Sequence, residues 1–217
     1  MTGKNEDLRR NVLNELAWDP TFDATHIGVA ADNGVVTLTG HVTTYAEKLA
    51  AERAAQRVTG VRGIAEEIEV RPPYAKKTKD DEIAERAVRI LQWDVSVPTG
   101  RISVKVEKGW VTLSGTVDWD YQRGAAAADI QKLSGVMGLI NLIKVQPAVR
   151  ATDVKHKIEE AFRRNAALDA GEIRVSAVDG TITLSGRVRN WAERNTAERA
   201  AWSAPGVTAV EDHLLVG

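Results

Sequence analysis

Cysteine is absent from the 217 residues. That excludes disulfides, thiolate metal sites, thiol nucleophiles and lipid attachment through an N-terminal cysteine. Phenylalanine occurs twice and proline six times, too little proline for a collagenous or proline-rich extended chain. An excess of one charge is also lacking. The 29 Lys and Arg face 30 Asp and Glu, so nothing global draws the chain to nucleic acid or an anionic membrane. No apolar run approaches the roughly 18 residues of a transmembrane helix. No apolar segment of the signal-peptide kind follows Met1–Arg10. The expected location is therefore cytoplasmic; a periplasmic one requires a leader already removed.

What the sequence does have is an internal repeat. Gly34-Val-Val-Thr-Leu-Thr-Gly40 recurs as Gly109-Trp-Val-Thr-Leu-Ser-Gly115 and as Gly180-Thr-Ile-Thr-Leu-Ser-Gly186. The alignment extends outwards without gaps. Leu8, Ile83 and Val154 match, as do Leu16, Leu91 and Phe162, and Gly60, Gly135 and Gly206. Three units follow, at residues 4–71, 79–146 and 150–217. Pro72–Thr78 joins the first two and Pro147–Val149 the last two. The shorter linker predicts that the second and third units sit close together and that the first is freer.

Each unit reads helix, strand, strand, helix, strand. Leu8, Val12 and Leu16 are spaced for one helical face, and Pro20 ends that helix. Trp18 and its equivalent Trp93 are expected to cover the helix end. Asn33-Gly34, Lys108-Gly109 and Asp179-Gly180 suit two-residue hairpin turns with positive φ. That register pairs Ala31 with Val36 and Val29 with Leu38, putting every apolar pair on one sheet face. The same pairing joins Ala177 with Ile182 and Val175 with Leu184.

Thr44-x-x-Glu47 and Asn190-x-x-Glu193 have the form of helix starts. Gly60, Gly135 and Gly206 are read as the C-caps of those helices. Gly34, Gly109 and Gly180 are read as hairpin turns, and Gly40, Gly115 and Gly186 as the glycines closing the strands. Glu66, Asn141 and Asp212 break the apolar alternation of the last strand, which predicts a bulge or a side chain bonded to backbone. The fold class is α+β: three tandem αββαβ units, each a three-stranded mixed sheet with two helices on one face.

The Gly-x-Val-Thr-Leu-x-Gly-x-Val pattern, an Ala-rich helix, Gly-Val and an alternating last strand resemble the BON domain, named from bacterial osmotically induced and nodulation proteins. The resemblance covers nearly the whole chain, three times. It implies the αββαβ fold, binding without catalysis, and roles in osmotic stress and envelope maintenance. A potassium-binding member of the family implies the alternative of a cytosolic small-ligand or potassium sensor.

The residues themselves show no catalytic constellation. The positions shared by all units are glycines, aliphatics and a strand threonine, which define a fold and no reaction. No P-loop, Gly-x-Gly-x-x-Gly or Gly-x-Ser-x-Gly run occurs. His26, His41, His156 and His213 occupy four different repeat positions, as expected of scattered surface histidines. No cofactor or metal is expected.

Tryptophan is the informative residue. Trp110, Trp119 and Trp202 stand where the sister units have Val35 and Thr181, Thr44 and Asn190, and Gln56 and Gln131. Ile140 and Leu142 share the outer sheet face with Trp110. Trp110, Trp119, Ile140, Leu142 and Trp202 are therefore the candidates for a partner or inter-domain surface. A phospholipid surface, with help from Arg163, Arg164, Arg187 and Arg189, a protein partner or a second copy of the chain would suit it; nucleic acid is not expected.

Overall fold

The computed structural model describes residues 2–73, 78–147 and 153–217. Residues 74–77 and 148–152, which include most of both linkers and the start of the third unit, lie outside the described residues. Among the described residues there are six α-helices and nine strands, in three separate three-stranded sheets.

The first repeat comprises α1 (Thr2–Trp18), β1 (Ile27–Asp32), β2 (Val35–Val42), α2 (Tyr45–Gln56) and β3 (Gly63–Val70). The second comprises α3 (Asp80–Trp93), β4 (Ile102–Glu107), β5 (Trp110–Val117), α4 (Asp120–Gln131) and β6 (Gly138–Val145). The third comprises α5 (Val154–Arg164), β7 (Ile173–Val178), β8 (Thr181–Val188), α6 (Trp191–Trp202) and β9 (Ala209–Val216). In every sheet the second strand of the repeat is central.

The chain forms two compact units. One is Met1–Arg86 with Val106–Val111 and Ile130–Leu139; the other is Ala87–Lys105 with Thr112–Asp129 and Ile140–Gly217. The middle repeat thus contributes residues to both. In the first unit, Met137 packs against the core of the first repeat, as does Tyr45. The first repeat is therefore anchored by part of the second, contrary to the freedom expected from its longer linker.

The hairpins of the first and third repeats have the expected register. Ala31 pairs with Val36 and Val29 with Leu38; Ala177 pairs with Ile182 and Val175 with Leu184. The physical cause is the turn, in which Asn33 and Gly34 have φ of 50° and 86°. Two left-handed residues match the strand twist and leave one pairing open. β3 then joins β2 in parallel, and β9 joins β8 likewise. Leu8, Val12, Leu16, Val36, Leu38, Ala51, Ala54, Ala55 and Ile68 are buried between helices and sheet. The small α2 alanines let that helix lie close to the strands.

Gly40 has a stricter role than closing a strand. Its φ is 113°, and a Cβ there would stand 1.9 Å from the His26 carbonyl oxygen. Gly115 and Gly186 meet Arg101 and Glu172 carbonyls at 2.0 Å in the same way. The backbone passes too close for any side chain.

Three expectations change. Gly60 is not the C-cap of α2: the cap is Arg57, and Gly60 lies in the next turn, where the Val61 amide donates to the Val58 carbonyl at 3.2 Å. Trp18 and Trp93 do not cover their helices; they are 83% and 82% exposed. The histidines are not all scattered, because His26 and His41 stack with ring centroids 4.7 Å apart. The strand order brings them together, since His26 precedes β1 and His41 follows Gly40, the partner of Ile27.

Candidate binding surface

The polar residue that interrupts each last strand bonds to backbone, as expected. Glu66 Oε1 accepts from the Ile68 amide at 2.6 Å, Asn141 Oδ1 from Ile143 at 3.2 Å, and Asp212 Oδ1 from Leu214 at 2.8 Å. The register across Glu66 is regular, so this bond replaces a bulge.

The second helix of each repeat answers with a cation at one aligned position. Lys48 Nζ lies 2.7 Å from Glu66, and Arg194 Nε lies 2.7 Å from Asp212. In the middle repeat the acid is replaced by neutral Asn141, and Arg123 turns elsewhere. It pairs with Asp120, and its guanidinium lies 4.5 Å from the ring centroid of Trp202. Trp202 is only 9% exposed. The signal was in the sequence as three aligned cations, Lys48, Arg123 and Arg194, facing two acids and one amide; alignment by apolar spacing passed over it.

The helix starts are built alike. Glu47 completes a capping box with Thr44. Gln122 accepts from the Asp118 and Trp119 amides. Glu193 is the buried acid of the group, 3% exposed. It accepts from the Asp169 and Arg189 amides at 2.8 and 2.7 Å and from the Arg189 guanidinium. Burial pushes its carboxyl pKa up, but the Arg189 side chain, the two amides and the Arg189 charge together hold it below its usual value. On α2, burial and then the Glu66 charge raise the pKa of Glu52.

The surface candidates separate. Trp202 is packed under Arg123. Trp110 is 50% exposed, with its ring lying over Gly138 of β6, where a Cβ would meet it at 2.5 Å. Trp119 is exposed at the start of α4. Ile140 and Leu142 stand on β6 at 44% and 58% exposure. Of the arginines proposed to assist, Arg189 is engaged by Glu193 and Arg164 lies 3.9 Å from Glu160. Among the described residues no group of three or more His, Asp or Glu is placed to hold a metal ion, and no helix is long and apolar enough to cross a membrane.

The BON domain profile matches three times, at residues 4–72, 79–147 and 151–217. The chain belongs to the BON domain family. The three repeats are its three BON domains. The osmotically-inducible protein Y of Escherichia coli strain K12 is 32% identical over 130 residues, which cover 57% of this chain. The match spans 63% of that relative's length. Among solved structures, the C-terminal domain of CdsD, a structural protein of the type III secretion system of Chlamydia trachomatis, aligns over 97% of this chain and 98% of that one, at 16% identity and a TM-score of 0.27. The PrgH periplasmic domain aligns over 94% of this chain and 99% of that one, at 10% identity and a TM-score of 0.22. Scores this low bear on neither fold nor function.

Proposed function

We propose that this BON protein is a non-enzymatic binding and scaffold protein of the bacterial osmotic or envelope stress response, and that its middle domain docks on phospholipid surfaces. The observation that carries the reading is the exposure of Ile140 and Leu142 on the outer side of β6, where the third domain has Glu211 and His213. Exposed aliphatics of this size suit the boundary between lipid headgroups and acyl chains. The likeness to an osmotically-inducible protein supports the stress assignment. The absence of a shared catalytic residue among the repeats supports binding over catalysis.

The test is sedimentation with phosphatidylglycerol–phosphatidylethanolamine vesicles at low salt. The protein pellets with the vesicles, and Leu142→Ser releases most of it. A protein that stays in the supernatant at low salt, or a Leu142→Ser variant that pellets fully, overturns the reading. Cell fractionation decides between the cytoplasmic location expected from the sequence and a periplasmic one.

A further inference from the structure

The chain has two phenylalanines, and both fall within one pair of repeat positions. In the first domain the pair is Leu16 and Phe22; in the third it is Phe162 and Leu168. Leu16 and Phe22 are buried in one core with Ile27, the first residue of β1. Phe162, Leu168 and the corresponding Ile173 of β7 are buried as well. Each of these domains thus fills the place between its first helix and its first strand with one leucine and one phenyl ring.

The middle domain has no ring there. Its pair is Leu91 and Val97, and a cleft of about 80 Å³ remains, lined in part by Val88, Leu91, Val97, Pro98, Ile102 and Val104. These residues belong to α3, to the loop after it and to β4, the edge strand of its sheet. Ile102 is only half-buried, although its counterparts Ile27 and Ile173 are each 6% exposed. Gln92, Thr99 and Gly100 complete the lining and are exposed. A Cβ at Gly100 would meet no atom within 4 Å. No lining residue is charged.

We infer that this cleft binds a small neutral molecule carrying one aromatic ring. The ring takes the place that the sister domains fill with Phe22 and Phe162. Nothing in the lining compensates the desolvation of an ionic group, so burial of apolar ring surface drives binding. An enclosed apolar cavity of about 150 Å³ takes up benzene whole. This cleft is smaller and open, so the ring enters edge first and its substituent stays at the mouth. There the Gln92 amide and the Thr99 hydroxyl offer hydrogen-bonding groups.

The test is a methyl NMR titration of the whole chain with benzyl alcohol. The methyl resonances of Val88, Leu91, Val97, Ile102 and Val104 move saturably. Those of Val29 and Val175, the counterparts of Val104 in the filled domains, stay in place. Cyclohexylmethanol, whose ring is puckered, saturates at several-fold higher concentration, and charged benzoate moves the cleft methyls little. Val97→Phe supplies the internal ring of the first domain and abolishes the response. Val88→Glu, at an exposed helix position where the third domain has Glu159, weakens binding several-fold. Cleft methyls unmoved by benzyl alcohol overturn the site. An equal midpoint for cyclohexylmethanol overturns the aromatic preference, and one for benzoate overturns the neutral ligand. A full response in Val88→Glu, or in a folded Val97→Phe variant, overturns the placement. N-acetylphenylalaninamide saturating below benzyl alcohol assigns the cleft to a peptide side chain and overturns the free small molecule.

Discussion

Arg123 holds its guanidinium over Trp202, 4.5 Å from the ring centroid, because the acid that its counterparts Lys48 and Arg194 engage is here Asn141. One neutral substitution in β6 thus releases a cation from its own sheet to pack on the helix of the third BON domain. The cation–π contact itself is worth about 0.5–2 kcal/mol, and the burial of the indole considerably more.

Trp202→Ala should therefore cost about 3–5 kcal/mol, against about 1 kcal/mol for Arg123→Gln. Asn141→Asp recreates the arrangement of the sister domains and draws Arg123 back. The coupling between positions 123 and 202, read by a double-mutant cycle in urea, should shrink in that background.

Gly40→Ala should destabilise the first domain by about 3 kcal/mol or more, since a Cβ against a backbone carbonyl adds overpacking to left-handed strain. Gly115→Ala and Gly186→Ala should do the same in their own domains. Gly60→Val should be milder. It strains a positive φ of 93°, but the nearest atom to its Cβ is Leu8 Cδ1, at an ordinary 3.6 Å. Denaturant midpoints rank the variants.

Acid should weaken the first domain through Asp19. The Thr21 hydroxyl, then Arg57 and the Thr21 amide, lower its carboxyl pKa from 3.8 to about 2. A lowered folded pKa means stability that is complete above the unfolded value and is lost as pH falls through the folded one. Asp19→Asn should thus flatten the decline between pH 3.8 and about 2. Urea unfolding across that range measures it.

Glu193→Ala should destabilise the third domain by about 2–3 kcal/mol, because the Asp169 and Arg189 amides lose their acceptor. Glu193→Gln, the residue type of the equivalent Gln122, keeps one acceptor oxygen and should cost less. Thermal unfolding of the two variants separates the charge from the hydrogen bonds.

Much of the fold was legible in the residues. The hairpin register followed from turn pairs such as Asn33-Gly34, and the sheet face from Val29, Ala31, Val36 and Leu38, because strand alternation and a two-residue turn admit one solution. The role of Glu66, Asn141 and Asp212 was legible as well, since a polar residue at an inward strand position must find a partner. The candidate surface was less so. Repeat alignment gives Trp18 the surroundings of a covered helix end, and Trp18 is exposed; it does not by itself specify that Trp202 meets Arg123 of the neighbouring repeat, because side-chain exposure depends on what faces a position and not on its place in the repeat.

By itself, then, the sequence determined three αββαβ units and the hairpin register of the first and third. These are local properties, set by periodicity, turn chemistry and glycine. Only the tertiary structure decided that Trp202 lies buried beneath Arg123 and that His26 and His41 stack. Those outcomes depend on distances between segments far apart in the chain, which no spacing along it encodes.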